Sequence, residues 1–527
     1  MAEDAKLVGK KRLTRWQRIW LWVIAPVLIS GTVVAVIAAI MMRRAEPILK
    51  GRVIETLSAR FDSRVELDGF HVMVAKGLEV SGDGLRIFPP DDVVAAGAKG
   101  PLISLGHFSF HANLPGLFIR PMHVGTVFVS GMTIHVPPRE MREQGAGKRH
   151  LGKIRIVVEK IVCDDSRLIL ATEKPNKDPQ LFVLKHVEMR DVGPKSPWLY
   201  NATLVNSTPV GEIQATGMFG PWVNESPGDS SVTGHYTFEH ANLNTIKGIG
   251  GMLSSVGDFR GQLDRIEVDG TTDTPDFSLD TANHPMPLHT QFHAIVDGTS
   301  GDTYLQPVDA RLNQSDFSCS GTVINVKGKG HIIDIDTDVP HGRIQDFLEL
   351  GVKTKPVVMT GRLAMRAHLR IDPGKESVSQ RMRLNGGFAL NAIHFTNPKW
   401  EDKVDMLSLR ASGKPKEAKL GAADIRSKMV GQFAMEKGKL RFNRLDYILP
   451  GARVELAGVY SLNGERFDFA GKVKTDAKVS QMVASRWKSL LLKPIDPFFA
   501  KDGAGAVIPV KISGTQSEPK FGLNLHR

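Results

Sequence analysis

The chain has 527 residues, 42% hydrophobic and 24% charged; that balance excludes wholesale disorder, and the length exceeds one ordinary globular core. Its formal net charge is +12, of which residues 1–18 supply +4 (six positive, two negative), leaving +8 dispersed over the rest. That dispersal suits an anionic membrane surface and argues against a nucleic-acid footprint, while Cys163 and Cys319, the only cysteines, make neither a disulfide framework nor a metal site.

Residues 1–18 form a basic tail that carries Lys6, Lys10, Lys11, Arg12, Arg15 and Arg18 against Glu3 and Asp4. Ile19–Met42 follows, 24 residues without a formal charge, closed by Arg43 and Arg44. As a helix it would span roughly 36 Å, enough to cross a membrane with some tilt. The basic tail keeps the N-terminus cytoplasmic, and Trp16, Trp20 and Trp22 sit near the interface. The apolar run is too long for a cleaved signal peptide and ends without small residues. Segment 19–42 is therefore expected to be a single-pass anchor, with the bulk of the chain across the membrane.

Segment 43–61 spaces Ile48, Val53, Leu57 and Phe61 at helical intervals and predicts a juxtamembrane helix. From Val65 onward, alternation of apolar and polar residues predicts strands with one oily and one polar face. In Arg362–Ile371, Leu363, Met365, Leu369 and Ile371 oppose Arg362, Arg366, His368 and Arg370. Ile333 and Ile335 alternate with Asp334 and Asp336, and Ile266 and Val268 with Arg265, Glu267 and Asp269. Phe277 and Leu279, Val454 and Leu456, Phe467 and Phe469, and Ile508, Val510 and Ile512 continue the pattern. Helical spacing appears only at Ile344–Leu350, weakly at Asn244–Ser254, and most clearly at Val479–Leu492. Polar or proline-containing stretches at Pro89–Pro101, Pro137–Lys148 and Glu173–Gln180 read as loops. The expected body divides into an N-terminal β region (62–200), a central elongated β region (201–474) and a C-terminal helix with closing strands (475–527).

The chain carries no phosphate-binding loop, nucleophile elbow, zinc-protease helix or C-x-x-C pair. His107 and His111 share one strand face, but no acidic ligand adjoins them in the sequence. The Asp334, Asp336, Asp338 ladder lacks the glycine turn and distal Glu of a calcium loop. No catalytic set, cofactor or metal site is therefore expected. The oily faces can close in two ways: two sheets pack as a dry sandwich, or one long sheet curls into a trough left to be filled by something apolar.

The chain end, Pro497-Phe498-Phe499, then Gly503, Gly505, Ile508-Pro509-Val510, Ile512-Ser513-Gly514-Thr515, Pro519, Lys520 and Phe521, resembles the closing strands of the AsmA-like family. The start is similar as well, with Phe61, Val65 and Leu67, then Gly77, Leu78, Val80, Gly82 and Leu85 after a single anchor. Asn201 to Trp222 resembles the envelope-spanning relatives in its Pro-x-Gly and G-x-F-G-P-W turns. The resemblance implies a bacterial inner-membrane protein with a periplasmic body, mostly β, its long antiparallel sheet curled into an open groove or half-barrel with a few short helices. It also implies kinship with bridge-like lipid-transfer proteins, so the expected partner is phospholipid or another acyl lipid. A scaffold for outer-membrane or envelope proteins is the alternative. Alternation then nominates Phe277, Leu279, Leu363, Met365, Leu369, Ile371, Val454, Leu456, Phe467 and Phe469 as groove-lining residues, an assignment that a one-residue register slip would invert.

Overall fold

The computed structural model describes residues 63–527 apart from 75–77, 96–99, 113–121, 137–155, 172–173, 175, 194–195, 222, 224–225, 418–424, 463–464, 501–502, 504, 516–517 and 524–527. Before residue 63 it describes only 30, 32–33, 47, 50–51, 53–55 and 57–59, all helical. The expected anchor at 19–42 thus lies almost wholly outside the described residues, among which no helix is long and apolar enough to cross a membrane.

The protein is mostly β: 62% of the described residues are strand, in one large mixed sheet. Its first strands are β1 (Val65–Glu66), β2 (Gly69–Val74), β3 (Leu78–Ile87), β4 (Ile103–Ala112), β5 (Met122–Ser130), β6 (Thr133–Val136), β7 (Ile156–Leu170) and β8 (Gln180–Val192). The middle holds β9 (Trp198–Ser207), β10 (Val210–Phe219), β11 (Ser231–Asn242), β12 (Ile249–Gly250), β13 (Met252–Gln262), β14 (Arg265–Leu279), β15 (Met286–Val296), β16 (Thr303–Leu312), β17 (Ser315–Val326) and β18 (Gly330–Arg343). The last part holds β19 (Met359–Ile371), β20 (Met382–Phe395), β21 (Lys428–Glu436), β22 (Lys439–Leu449), β23 (Ala452–Ser461), β24 (Arg466–Thr475), β25 (Ala506–Thr515) and β26 (Pro519–Leu523). Helices are short: α1 (Asp91–Ala95), α2 (Ile344–Gly351), α3 (Val378–Arg381), α4 (Pro398–Ala411), α5 (Arg486–Leu492) and α6 (Asp496–Phe499).

Strands β1 and β2 both pair with β3, and β5 and β6 both lie between β4 and β7. From β7 on, each strand pairs with the next along the chain, save that β13 sits between β11 and β14 while β12 pairs with β14. The expectation of an antiparallel sheet needs one correction. Strands β5 and β6 both run parallel to β7, because the long connection at 137–155 permits the crossover that parallel neighbours require.

Two helix expectations are also corrected. Asn244–Ser254 forms a 3-10 turn (Leu243–Thr245) and two strands, because Gly248 and Gly251 sit at φ +99° and +122°, outside helical space. Val479–Leu492 splits into a 3-10 turn at Val479–Met482 and α5, since buried Asp496 holds the Ser480 amide and hydroxyl (2.9 and 2.6 Å). The helix predicted at Ile344–Leu350 is α2, and residues 53–55 and 57–59 are helical within the segment predicted at 43–61, with Val53, Ile54 and Leu57 packed on the N-terminal core. The stretch read as a loop at Pro89–Pro101 contains α1, and the one at Pro137–Lys148 lies outside the described residues.

The sheet is two-faced throughout. Following the register from strand to strand, the in-register positions on one face between β3 and β25 include no Asp, Glu, Lys or Arg. One row runs Val339, Met365, Phe388, Gly431, Leu445, Leu456, Gly471, Val510. The charged side chains face the other way. Two buried clusters lie on the uncharged face. The first gathers Val65, Phe70, Val80, Phe108, Cys163 and Val187 beneath the helical turns at 53–59. The second joins Leu363, Leu390, Met429, Tyr447 and Val454 to Val404, Leu407 and Ala411 of α4.

The sheet bends toward this face. The Trp400 ring of α4 stands 5.9 Å from Phe395 on β20, 6.2 Å from Phe467 on β24 and 5.9 Å from Phe521 on β26. In a flat sheet four strand steps alone span about 19 Å and six about 29 Å, so one indole meets all three only from inside a bend. Edge contacts show the same bending farther back. Lys177, between β7 and β8, donates to Asp302 Oδ1 (2.6 Å) and the Asn325 carbonyl (2.5 Å), while Lys174 reaches Asp297 (2.7 Å) and Gly328 N donates to Asp178 (2.7 Å). Seven strand steps separate β8 from β16, about 34 Å if flat. Within the stretch Glu173–Gln180, read as a surface loop, Lys174, Lys177 and Asp178 act as a strap. Further along, Gly248 lies against Val378 of α3, and Lys353 N and Thr354 bond to Glu465 in the β23–β24 turn.

Candidate functional site

All ten nominated residues stand on the uncharged face, but they fall into two environments. Leu363 and Val454 are buried in the cluster under α4, and Met365, Leu456 and Phe469 pack against it. Phe467 meets the Trp400 ring. Leu369 and Ile371 are half-buried, opposite Leu384 and Met382 on β20. Phe277 and Leu279, half-buried at the end of β14, lie opposite Met286 and Ile249. The structure thus gathers six of the ten around α4 and leaves four outside that packing.

Between the two clusters, strands β11 to β16 contribute to neither. Their inward side chains, with those of β9 and β10, include Tyr236, Phe259, Val268, Phe292 and Leu305, all half-buried. Sequence reasoning did not nominate these residues. The signal was present: Tyr200, Ala202 and Leu204 alternate with Asn201 and Thr203, and Val268 belongs to the alternation already cited with Ile266.

The hydroxyls on this stretch are turned into the sheet. Tyr200 Oη donates to the Thr233 carbonyl (3.3 Å), Ser255 bonds both Tyr236 Oη (3.0 Å) and the Thr271 carbonyl (3.0 Å), and Thr272 and Thr290 bond each other (2.7 Å). Burial pushes the Tyr200 phenol above its ordinary range and does the same, less opposed only by Ser255, for Tyr236. With those groups spent on one another, the surface offers carbon rather than donors or acceptors. Cys163 and Cys319 are free thiols on the same face, and burial pushes Cys163 up to about 11.

The polar face is a lattice of cross-strand pairs. His107 bonds Asp83 (2.7 Å), so the strand that lacked an acidic neighbour in the sequence has one across the sheet. His186 pairs with Asp164 (2.6 Å), His235 with Asp258 (2.9 Å) and His293 with Asp269 (2.7 Å). The Asp334, Asp336, Asp338 ladder is taken by Arg370 (2.9 Å), His368 (2.8 Å) and Arg366 (3.3 Å). A depression of about 400 Å³ beside Ser318, Asp336, Asp338, Arg366 and His368 belongs to this lattice. No group of three or more His, Cys, Asp or Glu among the described residues is arranged to hold a metal.

No family model, no curated protein and no solved structure matches the chain.

Proposed function

We propose that this protein holds acyl lipid on the uncharged face of its bent sheet, which acts as an open trough, and so supports lipid movement or outer-membrane biogenesis in a bacterial envelope. One observation carries the reading: among the described residues, strands β11 to β16 join neither buried cluster, and their inward side chains include the uncharged, half-buried Tyr236, Phe259, Val268, Phe292 and Leu305. Hydrocarbon gains about 25 cal/mol for each Å² taken from water, while headgroups remain outside. A peptide or glycan would need polar partners that this surface has already used. The reading involves no bond chemistry and no cofactor, and it assigns residues 19–42 to the inner-membrane anchor.

The test is mass spectrometry of organic extracts from the purified full chain. Stoichiometric phospholipid, lost in a folded Leu369→Asp/Phe259→Asp variant, is the expected result. A folded protein free of lipid would sink the proposal. It would favour the second reading, a scaffold for envelope assembly, for which the α4-filled portion with Leu363 and Val454 buried is the supporting observation.

A further inference from the structure

The uncharged face of the middle strands carries a repeated cross-strand order. Tyr200, Gly217, Gly234 and Phe259 form one row across β9, β10, β11 and β13. Tyr236, Gly257, Gly270 and Phe292 form a second across β11, β13, β14 and β15. In each, two aromatic rings flank two glycines. The rings lie down over those glycines: a Cβ added to Gly270 would stand 2.9 Å from both Phe292 Cζ and Tyr236 Oη, and one on Gly234 would stand 2.6 Å from Tyr200 Oη and 2.9 Å from Phe259 Cζ. Such contacts are closer than side chains tolerate, so each ring occupies space that any other residue would fill. Gly431 shows the same arrangement under Phe388, but that ring packs against the second buried cluster, 6.2 Å from Phe433 and 6.3 Å from Phe442.

We propose that the two aromatic–glycine–glycine–aromatic rows set the girth of the trough, and that these middle strands admit slender unbranched hydrocarbon chains in preference to rigid fused-ring lipids. This deepens the acyl-lipid reading and rests on it. A ring lying against the backbone presents its thickness, rather than its length, to the lumen. The glycines therefore deepen the trough at two successive rows without removing apolar contact. The occupant follows from the lining, which offers flat carbon surface and, among the described residues, the hydroxyls of Tyr200, Tyr236, Ser255, Thr272 and Thr290 already bonded.

The test compares binding of a straight polyene fatty acid (cis-parinaric acid) and a fluorescent sterol (dehydroergosterol) to the full chain. The wild type is expected to favour the fatty acid on the order of tenfold, the scale at which an apolar site discriminates by size. Phe292→Ala, which empties the space over Gly270, should erase most of that preference by gaining sterol binding. Phe388→Ala, the same change within the second buried cluster, should leave the preference as it was. An unchanged ratio in folded Phe292→Ala, or an equal shift in Phe388→Ala, would overturn the inference while leaving the acyl-lipid reading intact. Should Phe292→Ala not fold, Phe292→Leu carries the same expectation, since a leucine cannot lie as a plate on the glycine. A wild type that binds neither probe overturns both.

Discussion

Lys177 shows how much one residue can contribute at the edge of this sheet. Its ammonium is nearly buried, with 9% of the side chain exposed against 4% for Asp302, and it joins two loops that the chain separates by 125 positions. Removing one member of a buried pair leaves the other without compensation, at a cost of about 3–5 kcal/mol. Lys177→Met is therefore expected to lower urea stability by about 3 kcal/mol and to expose 172–180 to limited proteolysis. Lys185→Met, which removes an exposed pair with Glu212 (2.9 Å), should change neither. An equal effect of the two substitutions would show that the strap is held by something other than this pair. The sequence offered no hint of the pairing, because nothing local distinguishes Lys177 from any lysine in a polar loop.

Among the helices that sequence reasoning missed, α4 is the longest, although its signals were local. Asn397 accepts from Lys399 N (3.0 Å) as an N-cap, Pro398 stands at the first helical position, and Glu401 follows in the first turn, where it accepts from Phe395 N (2.7 Å). Trp400, Val404, Leu407 and Ala411 then recur at helical spacing. Asn397→Ala should cost about 1 kcal/mol, read as a lowered urea midpoint, and leave the β signal in circular dichroism unchanged. A neutral substitution would mean that packing against Phe395 and Phe521 alone fixes the helix. The strands were legible for the opposite reason. Alternation in Arg362–Ile371 is enforced by a two-faced environment along its whole length, so Leu363 and Leu369 could be placed on one face without knowing their neighbours. Whether that face was covered could not be read there. The cluster over Leu363 draws on Ile344 and Phe347 of α2 and Val404 and Leu407 of α4, which lie in other stretches of sequence, and nothing in Leu369 records whether such a cover exists.

Across the whole molecule, buried acids that hold their protons set an alkaline limit. Burial raises Cys163 from about 9 to about 11 and Tyr447 and Tyr460 from about 10 to about 12. A group whose folded value lies above its unfolded value contributes stability below the unfolded value and loses it as pH rises toward the folded one. The urea midpoint should accordingly hold level from pH 7 to about 9 and fall between about 9 and 12. Cys163→Ala should delay the start of that fall. A midpoint that drops already between pH 7 and 8 would place the controlling group elsewhere.

The straps also show how such a body can vary in length. The β7–β8 loop lies at the same ends of the strands as the β9–β10 turn, whereas the β15–β16 loop it grips lies at the opposite ends. One circuit of bending therefore returns the sheet displaced by about a strand length instead of onto its own starting strand. A closed barrel has a strand count dictated by its circumference. A ramp has none, and among the described residues the outer sides of β2 and β26 bear no partner strand. Hairpins added at either end would extend the molecule along its axis at constant calibre, so its reach is a matter of gene length rather than of redesign.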